Sequence, residues 1–319
     1  MNQAIKHYLA KHGFRHFYPK AVLFDMDGVI YDSMPNHALS WHQAMASVGI
    51  EMDESEAYRY EGMRGVETIK LKAREQWHRE ISDEEAQKIY DLKAAAFSKC
   101  PPAPKMEGTE DLMRQIIADG LKICVVTGSG QRTLLDKLET DFPGLILQEF
   151  IVTSFDVSHG KPAPDPYLAG MEKTGVRPWE TIVVENAPLG VQAAVAAQCF
   201  TIAVNTGPLS DQELLSKGAD WIMPDMKTLS QQWNHYILQY NMGGKQNKKW
   251  EYMYNRIMSY MEMNKRRPSK YHLEDRQMFN WIKYNKKSYA HGTMPESHIN
   301  MFEELLATAK KYHRANQYG

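Results

Sequence analysis

The stretch AVLFDMDGVIYDS, residues 21–33, runs from an apolar segment into three carboxylates, Asp25, Asp27 and Asp32. Asp25 and Asp27 stand two residues apart. In extended backbone such residues point to the same side, so both acids reach one ligand. Two neighbouring carboxyls divide their labour, one ionised and one holding a proton, as nucleophilic and general acid–base chemistry requires. A plain turn at Asp27-Gly28 is the structural alternative. Three later stretches offer groups of a matching kind. TGSGQRT (127–133) supplies the Thr127 hydroxyl and two small residues, Gly128 and Ser129, whose backbone N–H groups can approach an anion at a helix start. HGKPAPDPY (159–167) sets Lys161 in a proline-stiffened loop, a cation suited to a phosphate or to clustered carboxylates. In the same loop Asp165 is placed to cap a helix begun by Pro166. Glu185-Asn186 offers oxygen donors of the kind Mg²⁺ takes, though Asn186 is equally placed to cap a helix starting near Pro188.

The elements that must position these groups are legible as β-type runs. AVLFD (21–25), LKICVVT (121–127), EFIVT (149–153), TIVVE (181–185), FTIAV (200–204) and the weaker DWIM (220–223) are rich in Val and Ile without polar alternation. That pattern predicts strands buried on both faces of a parallel sheet. Helical stretches such as 109–120 and 188–199 alternate with them, which predicts a doubly wound α/β domain. Ligands of such sheets bind beyond the carboxyl ends of the strands, where each candidate group falls. About ninety residues separate the first two strands, far more than one crossover needs. Residues 34–104 read as an inserted helical cap closed by CPPAP, lying over the ligand crevice.

Composition divides the chain further. Of 319 residues, 43% are apolar and 24% charged, which is globular and excludes wholesale disorder. From Lys245 onward there are 15 Lys and Arg against 7 Asp and Glu, whereas the preceding part has 23 against 32. A basic tail on an acidic body predicts two units with different partners. The predicted domains are a helical extension over 1–19, an α/β core over 20–33 and 105–230, the cap, a linker over 231–246, and a basic three-helix bundle over 247–319. Three widely spaced cysteines, Cys100, Cys124 and Cys199, suggest a reducing, cytoplasmic setting. No apolar run approaches membrane-spanning length, and the N-terminus lacks the apolar core of a signal peptide.

Asp25-x-Asp27, Thr127, Lys161 and Glu185-Asn186, in that order on four strand ends, resemble the haloacid dehalogenase-like superfamily over roughly residues 20 to 230. DMDGVIYDSMPNHALSW, with His37 and Trp41 on the first cap helix, resembles the opening of the β-phosphoglucomutase-like group. The resemblance implies phosphoryl transfer with Asp25 as nucleophile and Asp27 as general acid and base. It implies Mg²⁺ held by Asp25, Asp27, Asn186 and Glu185, with Thr127, Lys161, Gly128 and Ser129 at the phosphoryl group. It further implies that His37 helps to hold Asp27. Asn186 departs from the usual acid at its place and removes one negative charge, which predicts weaker metal binding.

A mutase needs a second cationic site. Arg64, in EGMRGVETI, stands one residue out of register with the arginine of the mutase pattern, and Gly130 stands where that pattern has lysine. These differences favour a phosphatase acting on a small phosphorylated metabolite, a sugar or polyol phosphate, over a β-phosphoglucomutase; a catalytically weak binding module is the third reading. The tail resembles a helicase-associated domain through Trp250, RRPS (266–269), MFNWIK (278–283) and Gly292, which implies nucleic acid as a partner. Its tryptophans at helical spacing equally suit a bundle core.

Overall fold

The computed structural model describes residues 2–14, 17–128, 132–241 and 244–312. Backbone contacts divide the chain into two compact units, residues 1–237 and 238–319.

The first unit opens with α1 (Asn2–His12) and β1 (Ala21–Phe24). Helices α2 (Met34–Ser47), α3 (Glu54–Arg59), α4 (Gly65–Trp77) and α5 (Asp83–Phe97) follow without a strand between them. Then come α6 (Thr109–Ala118), β2 (Lys122–Val126), α7 (Arg132–Asp141), β3 (Ile151–Val152), α8 (Asp165–Thr174), β4 (Thr181–Glu185), α9 (Pro188–Ala196), β5 (Phe200–Val204), α10 (Asp211–Ser216), β6 (Trp221–Met223) and α11 (Met226–Asn241). The six strands form one parallel sheet in the order β3-β2-β1-β4-β5-β6. Every residue of β1, β4 and β5 is buried, so the unbroken Val/Ile runs serve two covered faces. On one face Leu23, Val126 and Val183 pack against Tyr167 and Met171 of α8 and Ala193 and Ala194 of α9. Strand order reverses about β1, which puts a crevice at its carboxyl end.

The inserted cap has its own core, with Trp41, Met45, Ile69, Ala73, Ala86 and Ile89 drawn from α2, α4 and α5. Its two connections to the core run side by side. Asp32 N donates to Pro104 O at 3.0 Å and Met106 N to Ile30 O at 2.8 Å. In the N-terminal extension Ile5 and Tyr8 are fully buried, and the Tyr8 hydroxyl donates to Gln198 O at 2.8 Å.

The segment expected as a linker, 231–246, is helical over most of its length. Leu229 and Trp233 hold the start of α11 in a buried environment, and Trp233 Nε1 donates to Asp119 Oδ2 at 3.1 Å. The second unit contains α12 (Gly244–Asn264), α13 (Arg276–Ala290) and α14 (Glu296–Lys311). Ile257, Met261, Met278, Phe302 and Leu305 form its core, with Trp250, Trp281 and Ile282 partly buried against them. Trp250 also stacks on His298, with ring centroids 3.8 Å apart. Among the described residues no helix is long and apolar enough to cross a membrane.

Candidate active site at the carboxyl rim of the sheet

Asp25 directly follows β1, and its backbone N–H continues the pairing with β4 by donating to Val184 O at 3.0 Å. The chain then turns back on itself: Gly28 N donates to Tyr31 O at 2.7 Å, and Gly28 adopts φ +81°. A Cβ at Gly28 would stand 2.1 Å from Asn186 Nδ2, so only glycine lets this turn approach the end of β4.

Lys161 joins the strand ends. It is 2% exposed, and its ammonium donates to Asp25 Oδ1 and, at 2.6 Å, to Glu185 Oε1. Glu185, fully buried, has both oxygens committed. Oε1 also accepts from the Tyr167 hydroxyl at 2.9 Å, and Oε2 accepts from Asn186 N at 2.7 Å and Ala187 N at 2.9 Å. Glu185 was expected among metal donors; its oxygens here orient Lys161 and brace the start of α9. Asn186 does not cap α9, nor does Asp165 cap α8; Asp165 instead pairs with His159 at 2.9 Å.

Among the described residues, two buried oxygens at this rim have no hydrogen-bond partner, Asp25 Oδ2 and Asn186 Oδ1. An orphaned buried oxygen carries a desolvation cost unless a ligand meets it. A carboxylate and an amide carbonyl are hard oxygen donors, so the residues present fit Mg²⁺. Among the described residues no group of three or more His, Cys, Asp or Glu forms a metal cluster. A cation here would therefore rely on the single Asp25 carboxylate, the Asn186 amide and backbone oxygen.

Asp27 has a different environment. Its Oδ1 accepts from Ser33 Oγ at 2.6 Å and lies 3.3 Å from His37 Nε2. Lys93 Nζ contacts His37 Nδ1 at 2.9 Å. An ammonium only donates, so Nδ1 must accept, and the ring proton sits on Nε2, facing Asp27. Burial would raise the Asp27 carboxyl, but His37, Ser33 and Lys93 together bring it down to about 2. The ligand-free resting form is therefore the carboxylate, whereas the expected donor form is the acid. Burial pushes Asp25 the other way, above the ordinary aspartate range, against the opposing effect of Lys161.

The remaining candidates surround a cavity of about 20 Å³ lined by Gly62, Arg64, Thr127, Gly128, Ser154 and Lys161 among others. Thr127, at the end of β2, donates its backbone N–H to Val152 O at 2.9 Å. Arg64, the residue before α4, donates Nη2 to Val157 O at 3.0 Å and so closes the cap onto the core loop. Ser129, Gly130 and the Arg132 side chain lie outside the described residues.

Sequence reasoning missed Lys93, Ser33 and Tyr167. Lys93 had a readable signal: it continues the buried stripe Ala86, Ile89, Lys93 on α5, where a solvated lysine would not fall.

The family profile of haloacid dehalogenase-like hydrolases matches residues 22–204. A solved structure from Bacteroides vulgatus, provisionally assigned as a beta-phosphoglucomutase, is 46% identical with a TM-score of 0.72, covering 75% of this chain and 98% of that one. Validoxylamine A 7'-phosphate phosphatase of Streptomyces hygroscopicus subsp. limoneus is 28% identical, over 68% of this chain and 97% of its own. Hexitol phosphatase A of Escherichia coli (strain K12) is 30% identical, over 58% of this chain and 83% of its own. With more than half its length matched and the acids, lysine and asparagine gathered at one rim, the chain belongs to the haloacid dehalogenase-like hydrolase family of enzymes.

Proposed function

We propose that the chain is a Mg²⁺-dependent phosphotransferase working through an aspartyl-phosphate, and that it acts as a phosphatase on small sugar or polyol phosphates. The supporting observation is the buried Lys161 bridging Asp25 and Glu185 beside two oxygens, Asp25 Oδ2 and Asn186 Oδ1, that lack a protein partner. Asp25 attacks phosphorus; the new O–P bond forms as the ester O–P bond breaks. The leaving oxygen takes a proton from Asp27. Asp27 then takes a proton from water, whose oxygen displaces Asp25 and releases phosphate. A phosphate dianion arriving beside Asp27 raises that carboxyl by like-charge repulsion, which loads the proton the first step consumes. Lys161, Thr127, Gly128 and Ser129 hold the phosphoryl oxygens. Mg²⁺, held by Asp25, the Asp27 carbonyl and Asn186, would offset repulsion between the anionic nucleophile and its anionic target. His37 acts through Asp27, and Arg64 through closure of the cap.

A phosphatase is favoured over a mutase because Arg64 stands one residue out of register with the arginine of the mutase pattern and Gly130 stands where that pattern has lysine. The 46% likeness to the Bacteroides vulgatus protein favours a mutase as the second reading. A phosphate-ester panel with Mg²⁺, including β-glucose 1-phosphate with and without a bisphosphate primer, separates them. Free phosphate abolished by Asp25→Asn supports the phosphatase; primer-dependent glucose 6-phosphate supports the mutase; turnover surviving Asp25→Asn overturns both. Free thiols at Cys100, Cys124 and Cys199 accord with a reducing cytoplasm as the working compartment. For the basic helical unit, nucleic acid is the partner we propose on charge alone.

A further inference from the structure

The Asp27-Gly28 turn is held from the core as well as from the cap. Ser33, which precedes α2, and His37 on that helix meet the Asp27 side chain. The backbone of the turn meets Thr206, in the loop between β5 and α10. The Thr206 hydroxyl donates to Gly28 O at 2.6 Å, across 178 positions of sequence. A glycine at φ +81° has more conformational freedom to lose on folding than any other residue, so this carbonyl is where a restraint does most.

A hydroxyl restrains a turn only if its own loop is fixed, and this loop is fixed at both ends. Asn205 N donates to Met223 O at 2.8 Å, which ties the start of the loop to β6. The Asn205 side chain reaches forward to Leu209 O at 3.0 Å and to Asp211 Oδ1 at 2.6 Å, where α10 begins. Between these points Gly207 lies against the cap: a Cβ there would stand 2.7 Å from Tyr58 Cδ1. Leu209, 6% exposed, packs into the cap core itself. These contacts set the loop without the bond to Gly28, so the Thr206 hydroxyl serves the catalytic turn rather than the loop that carries it.

We propose that Thr206 is a positioning residue, whose hydrogen bond to Gly28 O holds the turn so that the Asp27 carboxyl reaches the leaving oxygen of the ester. This rests on the phosphate-ester reading above. Proton transfer needs the carboxyl and the leaving oxygen within hydrogen-bond reach, and a misplacement of about 1 Å can cost on the order of a hundredfold in rate. Ser33 and His37 orient the carboxyl about its own bonds; Thr206 holds the carbonyl side of the backbone that carries it. The effect belongs to proton donation. An ester whose leaving group departs as a stable anion needs no such proton and is little affected in that step.

The test compares glucose 6-phosphate with p-nitrophenyl phosphate in the full-length protein and in Thr206→Val and Thr206→Ser. Valine keeps the shape and loses the donor; serine keeps the donor and loses the methyl group. The kcat/KM ratio of the sugar ester to the nitrophenyl ester should fall about tenfold or more in Thr206→Val and hold in Thr206→Ser. A packing role would spare valine and damage serine, and a general loss of structure would lower both rates together; either result, or an unmoved ratio, overturns the proposal. A second arm needs no turnover. Hydrogen exchange is followed over residues 26–31, where the amides of Val29, Ile30 and Tyr31 donate to Met26 O. Exchange there should quicken about tenfold in Thr206→Val alone. If the wild-type protein releases phosphate from neither ester, the reading of the reaction falls. The exchange rates still decide the role of Thr206: faster exchange in the valine variant alone supports it, and any other pattern refutes it.

Discussion

At Asn186 the chemistry departs from the usual acid, and the geometry shows what that costs. Its Oδ1 is buried and, like Asp25 Oδ2, has no partner among the described residues, so the amide keeps the donor atom and loses the charge. Asn186→Asp should tighten Mg²⁺ binding by roughly tenfold, since one more carboxylate faces the cation; calorimetric titration with Mg²⁺ giving equal or weaker affinity would refute this. Asp220 tests burial away from the site. Loss of solvation raises it to about 6, although its Oδ2 accepts from Thr201 N at 2.9 Å. With the folded value above the unfolded one, the folded state holds the proton longer. Stability is thus lost as pH rises from about 4 to 6 and does not return above it. Asp220→Asn keeps the acceptor and removes the titration, so thermal unfolding at pH 7.5 should gain on the order of 1–2 kcal/mol after allowance for partial exposure. At pH 3.5 the variant and the native protein should melt alike; equal melting at both pH values would remove Asp220 from this role. The residues that sequence reasoning found first, Asp25, Asp27, Thr127, Lys161 and Asn186, end or follow strands, where a break from apolar to polar marks the rim. Lys93 escaped because cap helices carry charged residues everywhere, and only its burial separates it from a solvated lysine.

Elements carry these groups with different degrees of legibility. β1, β2, β4 and β5 were readable to within a residue or two because a strand covered on both faces needs an unbroken apolar run. β3 keeps only Ile151 and Val152 as paired residues, since it lies at the sheet edge and turns off at Thr153. In the cap, α2 and α5 were readable by their period. The turn between α3 and α4 was not, because its position depends on Gly62 approaching a lysine a hundred residues away. That approach is testable. Gly62→Ala places a methyl group 2.7 Å from Lys161 Cδ in a left-handed backbone position. The cap should then seat less deeply, with kcat/KM for phosphate release reduced about tenfold or more and stability lowered by only about 1–2 kcal/mol. Steady-state rates and a thermal melt read the two separately, and an undiminished rate would show that this contact does not set closure. The cavity of about 20 Å³ beneath this turn has room for about one water.

Over the whole molecule the charge asymmetry outlasts the catalytic account. The α/β core and cap explain the acidic part of the chain, whereas the family match ends at residue 204 and leaves the basic helical unit to its own chemistry. The tryptophans at helical spacing pack against that unit's core, so they are not free to stack on bases. Other groups remain outside. Lys283, Lys286 and Lys287 border a groove of about 390 Å³ on α13 floored by Phe279, Ile282 and Ala290, and Tyr284 and Tyr271 are 73% and 83% exposed. Cations beside exposed aromatic rings suit a single strand, whose phosphates release counterions and whose bases have π-faces. The full-length protein should therefore bind an oligothymidylate at 50 mM salt with an affinity that falls as salt rises. Reversing Lys283, Lys286 and Lys287 to Glu should weaken binding and reduce the slope of log affinity against log salt by roughly 2. Phosphate release should be unchanged in that variant, because none of the three lysines belongs to the strand rim. Fluorescence anisotropy of a labelled strand measures the first effect and a coupled phosphate assay the second. Absence of binding at low salt, or binding indifferent to the three reversals, would assign these lysines to solvation and leave the positive balance of the tail without a nucleic-acid partner.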